Sequence, residues 1–226
     1  MVLIPENELA AMCREYGIEI THEEYALYER YIAMVLEKNK VMNLTRITEP
    51  YDVSVKHILD SLIPFVYSPP FGRTADVGTG AGFPGAVMKI HDPSLDVTLI
   101  DSLRKRIDFL CEVSEATLPM ECVHIRAEDA GRGKLRESFD TVAARAVAAL
   151  PVLCEYCLPL TKPGGKFIAL KTPSEDAGEC EALISELGGQ LSLQKDYTLP
   201  DGEKRRIIVI EKVTSTPSRY PRKKIR

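Results

Sequence analysis

The stretch from Arg73 to His91, RTADVGTGAGFPGAVMKIH, constrains the fold of this chain more than any other. A short run ending in Asp76-Val77 reads as a buried strand. Glycines follow at alternate positions (Gly78, Gly80, Gly82), and Phe83-Pro84-Gly85 opens an apolar helix. A strand that empties through such a turn into a helix N-terminus is the ligand-binding corner of an open α/β sheet. A side chain there would either forbid the turn or hold the ligand off the backbone.

Gly80 to Gly85 also spells G-x-G-x-x-G, so a dinucleotide is a candidate ligand. Two neighbours argue against it. Asp76 puts a carboxylate at the strand end, where it would repel a pyrophosphate. Pro84, near the first helical position, removes a donor that an anion would use. A ligand bearing an ammonium and a sulfonium suits an acidic strand end, which favours S-adenosylmethionine, with NAD as the alternative.

The rest of the chain extends this corner into a fold. Helices are expected over residues 6–16 and 22–41, the second opened by a capping box with Thr21 as N-cap and Glu24 three residues on. After the polar break Asn43-Leu-Thr-Arg46, a third helix runs from about Glu49 to Pro64. Residues 1–70 thus form a helical extension, residues 71–213 an α/β core, and residues 214–226 a basic tail. In the core, further strands are expected over 95–101, 122–126, 139–144 and 166–171, with helices over 103–118, 150–160 and 175–187. Strands 190–199 and 204–213, joined at Asp201-Gly202, close the chain as a hairpin. Five β-α units and a terminal hairpin match a seven-stranded, mostly parallel Rossmann-like sheet of the class I methyltransferase type better than a six-stranded NAD domain.

Composition sets limits. A 45% hydrophobic content supplies a core and 27% charged residues a soluble surface. No run of eighteen apolar residues and no signal peptide is found, so a cytoplasmic protein is expected. Cys154-x-x-Cys157 lies in the apolar run LPVLCEYCLPL with no second pair, which reads as a buried helix face and not a metal or redox site. The net charge is −4, yet basic residues cluster at 104–106, 132–136, 204–206 and 217–226. An uneven distribution of this kind can give an acidic protein a phosphate-binding face.

Several segments now occur in order: Asn43-Leu-Thr, His57-Ile-Leu-Asp-Ser61, Asp76 to Gly85, Leu99-Ile-Asp-Ser-Leu103 with Lys105-Arg106, Ala144-Arg-Ala146 and Ala169-Leu-Lys171. Together they resemble the RsmG family, also called GidB, bacterial methyltransferases of small-subunit ribosomal RNA. The resemblance implies methylation of N7 of one guanine in 16S rRNA with S-adenosylmethionine. The implied partner is the small ribosomal subunit or its RNA, and the enzyme is expected to be a monomer with no membrane contact and no metal. Carried over, the family's cofactor contacts fall on Gly78, Phe83, Ala127, Glu128 and Arg145. The resemblance also puts Asn43, Arg46 and His57 on an RNA-facing rim, with Lys171 as a phosphate contact.

Residue chemistry adds detail. Asp101, at the second strand tip, suits a ribose diol, with an N-cap role as the alternative. The glycine corner, with Gly80 and Asp76, would seat the methionine part of the cofactor. Arg145 would hold cofactor or substrate phosphate, or else serve a structural ion pair. His57 and Asp60, three apart, are spaced to pair across a helical turn. Guanine N7 attacks a methyl through its own lone pair and needs alignment more than a base, so no catalytic residue is assigned. Strand four ends in Ala-Arg-Ala, lacking the Asn/Asp-Pro-Pro-aromatic signature that resembles exocyclic amino methyltransferases.

Overall fold

The computed structural model describes residues 1–222; Lys223–Arg226, the end of the basic tail, lie outside the described residues. Helix α1 spans Glu6–Glu15 and α2 His22–Met42. The capping box forms as expected: Thr21 Oγ1 accepts from the Glu24 amide at 3.2 Å, and Glu24 Oε2 accepts from the Thr21 amide at 2.6 Å. Asn43 ends α2 in the left-handed region at φ 50°, which an Asn tolerates better than most residues.

The expected third helix is interrupted. It comprises α3 (Pro50–Val53), a π-helical stretch Ser54–Leu59, and α4 (Asp60–Tyr67). Hydroxyls flank the widened turns. Ser54 Oγ donates to the Pro50 carbonyl at 2.7 Å and Ser61 Oγ to the His57 carbonyl at 2.6 Å. Such back-bonding competes with the main-chain ladder and loosens it.

The sheet has the strand order β3-β2-β1-β4-β5-β7-β6. Its strands are β1 (Arg73–Val77), β2 (Asp96–Asp101), β3 (Glu121–His124), β4 (Phe139–Arg145), β5 (Thr161–Lys171), β6 (Gly189–Thr198) and β7 (Lys204–Lys212). The first five are parallel and β7 runs antiparallel to β5. Between them lie α5 (Gly85–His91), α6 (Arg104–Ala116), α7 (Ala127–Ala130), α8 (Leu150–Cys157) and α9 (Glu181–Glu186). Several boundaries depart from expectation: β3 ends at His124 and α8 at Cys157, and two further departures have a visible cause. β5 starts five residues earlier than 166, because Gly165 lets the backbone lie where a Cβ would stand 2.6 Å from the Asp140 carbonyl oxygen. The helix expected over 175–187 opens instead as a 3-10 turn, Ala177–Cys180, capped by Asp176 accepting from the Gly178 amide at 2.7 Å.

The two faces of the sheet are covered differently. On one, Leu9, Tyr28, Tyr31 and Ile32 of the N-terminal helices join Val87, Leu99 and Phe109 in one buried cluster. On the other, Leu153, Cys154 and Cys157 of α8 pack with Phe167, Ile208 and Tyr220. Cys154 and Cys157 are free thiols inside this core, as the apolar reading required. Each such large side chain, once buried, stabilises by about 1.5–3 kcal/mol. Both layers hold the carboxyl ends of β1, β2 and β4 fixed along one edge, where the strand order reverses. Among the described residues no helix is long and apolar enough to cross a membrane.

Candidate active site

Two cavities open at that edge. One, of about 330 Å³, is lined by Gly78, Asp101, Ala127, Glu128 and Tyr156. The other, of about 550 Å³, is lined by Lys56, His57, Asp60, Arg145, Lys171 and Arg205. Ala146, Val147 and Ala148, directly after β4, line both. Ala146 holds φ 55°, a conformation that costs a non-glycine residue on the order of 1 kcal/mol and collects at functional sites.

The glycine corner is built as its sequence demands. Gly78 has φ 69°, and a Cβ there would stand 2.6 Å from Val147 Cγ2, so only glycine fits between β1 and the shared loop. Gly80, at φ 62°, donates its amide to Asp101 Oδ2 at 3.0 Å. Asp101 also accepts from the Leu103 amide at 2.8 Å and from Arg106 Nη1 at 3.2 Å. A carboxylate offers about four lone-pair sites, so one remains for a ligand hydroxyl. Asp101 therefore lines the cavity and braces the approach to α6, but the N-cap of that helix is Leu103, so the N-cap alternative for Asp101 is corrected.

Asp76 lies elsewhere than expected. It is fully buried under the corner, where Oδ2 accepts from Thr79 Oγ1 at 2.6 Å and from the Gly85 amide at 2.8 Å. Its Oδ1 is buried without a partner among the described residues. Burial pushes its pKa up to about 6, against the pull of these hydrogen bonds. It lines neither cavity, and as placed it shapes the loop from below. Phe83 is likewise buried, at the junction of Tyr31, His57 and Arg145.

Arg145 takes the ion-pair alternative. Its Nη1 donates to Asp60 Oδ2 at 3.0 Å and to the Lys56 carbonyl at 2.8 Å, in the larger cavity and outside the one that holds Gly78 and Asp101. Asp60 Oδ1 accepts from the Tyr197 hydroxyl at 2.8 Å. The expected His57–Asp60 pairing is absent, because Arg145 inserts between them and the turn carrying His57 is π-helical. The His57 ring instead lies flat on Phe83, with its Nε2 2.9 Å from Thr45 Oγ1. Burial first, and the Arg145 charge second, push its pKa down to about 3, so the ring is neutral at ordinary pH.

The remaining candidates divide. Asn43 and Arg46 are exposed beside Ile47, which lines the larger cavity. Lys171 lines that cavity but is buried, donating to Glu175 Oε1 at 2.7 Å and to the Ala148 carbonyl. The expectation that it meets phosphate is corrected, since this pairing leaves no exposed ammonium. Residues missed from sequence include Tyr156, Glu175 and the left-handed Ala146, whereas Arg205 belongs to the basic cluster 204–206 already noted. Nothing in an Ala-Arg-Ala string signals a positive φ.

The family model for rRNA small subunit methyltransferase G (GidB) matches residues 24–208. The Ribosomal RNA small subunit methyltransferase G of Staphylococcus aureus (strain bovine RF122 / ET3-1) is 45% identical over 95% of this chain and 93% of its own. The chain belongs to the rRNA small subunit methyltransferase G family. Another relative of that name, from Geobacillus thermodenitrificans (strain NG80-2), is 47% identical over 96% of this chain and 94% of its own. Solved structures extend the likeness to the fold beyond the family. A Burkholderia thailandensis 1,6-didemethyltoxoflavin-N1-methyltransferase crystallised with S-adenosylhomocysteine aligns at TM-score 0.55 and 13% identity, covering 87% of this chain and 92% of that one. A point mutant of the 16S rRNA (adenine(1408)-N(1))-methyltransferase from Catenulisporales acidiphilia aligns at TM-score 0.52 and 16% identity, over 69% and 89%. The seven-stranded methyltransferase layout is thus the fold of this family member, and the six-stranded NAD alternative falls.

Proposed function

We propose that the chain transfers the methyl group of S-adenosylmethionine to N7 of a guanine in 16S ribosomal RNA, with the donor in the smaller cavity and the target base in the larger. The observation that carries this reading is the loop 146–148, which lines both cavities and so sets them side by side. The residues fit the donor: a glycine corner open to close backbone approach, a strand-tip carboxylate with a free lone pair, and Tyr156 facing Ala127 and Glu128. S-adenosylmethionine would supply an electrophilic methyl on sulfur.

The larger cavity suits an acceptor that needs no deprotonation. His57 is neutral with Thr45 on one ring nitrogen and Arg145 near the other, and Asp60 is tied to Arg145 and Tyr197. No free general base stands there among the described residues. Guanine N7 brings its own lone pair, so holding it in line is the enzyme's main task. A-form RNA buries N7 in a deep major groove, so a base received in this cavity has to be turned out of the helix. Arg46 is exposed next to Ile47 of the larger cavity, with a side chain suited to phosphate, while Arg205 lines that cavity paired with Glu203. A ribosomal substrate makes the cytoplasm the site of action, and one copy of the chain carries both cavities.

The test is incubation of the purified protein with methyl-labelled donor and small ribosomal subunits, followed by mapping of the modified base. Label in 7-methylguanosine at a single 16S position is expected. Label on another atom, or none in either subunits or naked 16S rRNA, would refute the reading.

A further inference from the structure

The tail over residues 213–222 lies beyond the family match at 24–208, yet it ties together two walls of the smaller cavity. Glu155 sits in the apolar helix α8 with no solvent exposure. A carboxylate so buried is strongly unfavourable unless paired. Among the described residues, every hydrogen bond to its side chain comes from Arg222: the backbone amide at 3.3 Å, Nε at 2.9 and 3.0 Å, and Nη2. The next residue along α8 is Tyr156, which faces the cavity.

The opposite wall is tied down by the same segment. Arg132 and Arg136 follow α7, which carries Ala127 and Glu128. Arg132 donates to the Pro221 carbonyl at 2.8 Å, and Arg136 to those of Tyr220 at 2.8 Å and Thr216 at 2.5 Å. Tyr220 is buried in the same cluster as Ala130. Lys212, fully buried, anchors the root of the tail through the Leu158 carbonyl at 2.6 Å and Thr216.

We propose that Arg222, through Glu155, is a positioning residue for the cofactor: the docked tail fixes the spacing between Tyr156 on α8 and Ala127-Glu128 on α7. The inference rests on the placement of the donor in the smaller cavity. Neither Arg222 nor Glu155 lines that cavity, so their effect on a ligand passes through its walls.

The experiment is calorimetric titration of S-adenosylhomocysteine into the full chain and variants, with KM for donor and for ribosomal subunits measured in parallel. Arg222→Ala should weaken binding and raise the donor KM about tenfold, with the RNA KM unchanged. Arg219→Ala is the control, since its tail arginine pairs with the exposed Glu186 on α9, away from the cavity; it should bind as the unaltered protein does. If Arg222→Ala fails to fold, Glu155→Gln, which keeps shape and drops the charge, should weaken binding about threefold. Unchanged affinity in the folded Arg222 variant, or in Glu155→Gln where that one is used, makes the tail a fold staple only and overturns the proposal. Failure of the unaltered protein to bind S-adenosylhomocysteine would overturn the donor site itself, and this proposal with it.

Discussion

Asp60 and Arg145, 85 residues apart in the chain, meet in an ion pair with Nη1 3.0 Å from Oδ2, the carboxylate buried and the guanidinium partly so. The pair joins the N-terminal helices to the tip of β4. Removing one partner of such a pair strands a charge and costs about 3–5 kcal/mol, while replacing both by apolar groups costs much less. Arg145→Met is expected to destabilise by about 3 kcal/mol. Asp60→Leu with Arg145→Met should recover more than half of that loss. Urea unfolding of the two singles and the double decides it; additive losses would show that the pair contributes no coupling.

Gly78→Ala probes the corner. The substitution places a Cβ at φ 69°, 2.6 Å from Val147 Cγ2. The left-handed conformation alone costs about 1–2 kcal/mol, and the clash pushes the shared loop into both cavities. S-adenosylhomocysteine affinity should fall at least about tenfold while the circular dichroism spectrum is kept. Wild-type affinity in this variant would mean the corner does not contact the donor.

His57 titrates far below its ordinary range, at about 3 against 6.5. The unfolded chain therefore takes up a proton that the folded one refuses, so this contribution to stability is complete above pH 6.5 and is lost as pH falls toward 3. The slope is up to about 1.4 kcal/mol per pH unit. His57→Gln should flatten that limb in urea midpoints measured between about pH 6.5 and 4. An unchanged limb would assign the acid loss to other groups.

Asp76 behaves in the opposite sense. Its pKa of about 6 lies above the ordinary 3.8, so its contribution is present below 3.8 and lost as pH rises through 6. Asp76→Asn escapes the cost of burying a charge and should stabilise the protein at about pH 8 by on the order of 1 kcal/mol. Because Oδ2 organises the loop through Thr79 and Gly85, the same variant should bind cofactor more weakly. Weaker binding with unchanged or lower stability would contradict the burial cost; unchanged binding would contradict the loop-shaping role.

What the sequence made legible was local or strongly patterned. The Thr21 capping box, the glycine corner and the hairpin at Asp201-Gly202 each need only a few adjacent residues. The apolar helix holding Cys154 and Cys157 also read correctly, because burial follows composition. What it hid were meetings between distant residues. Nothing near Arg145 announces Asp60 or Tyr197, and nothing near Glu155 announces Arg222. The π-helical turns at Ser54–Leu59 escaped for a related reason. Their hydrophobic spacing is that of an ordinary helix, and the hydroxyls that loosen them act on carbonyls rather than on pattern.

Residues 146–148 line both cavities from one loop, and no side chain there is larger than that of Val147. A shift of that loop is therefore felt in both cavities at once. An inhibitor of either cavity that displaces the loop will register as altered occupancy next door, and a compound running along it would engage donor and acceptor seats at once.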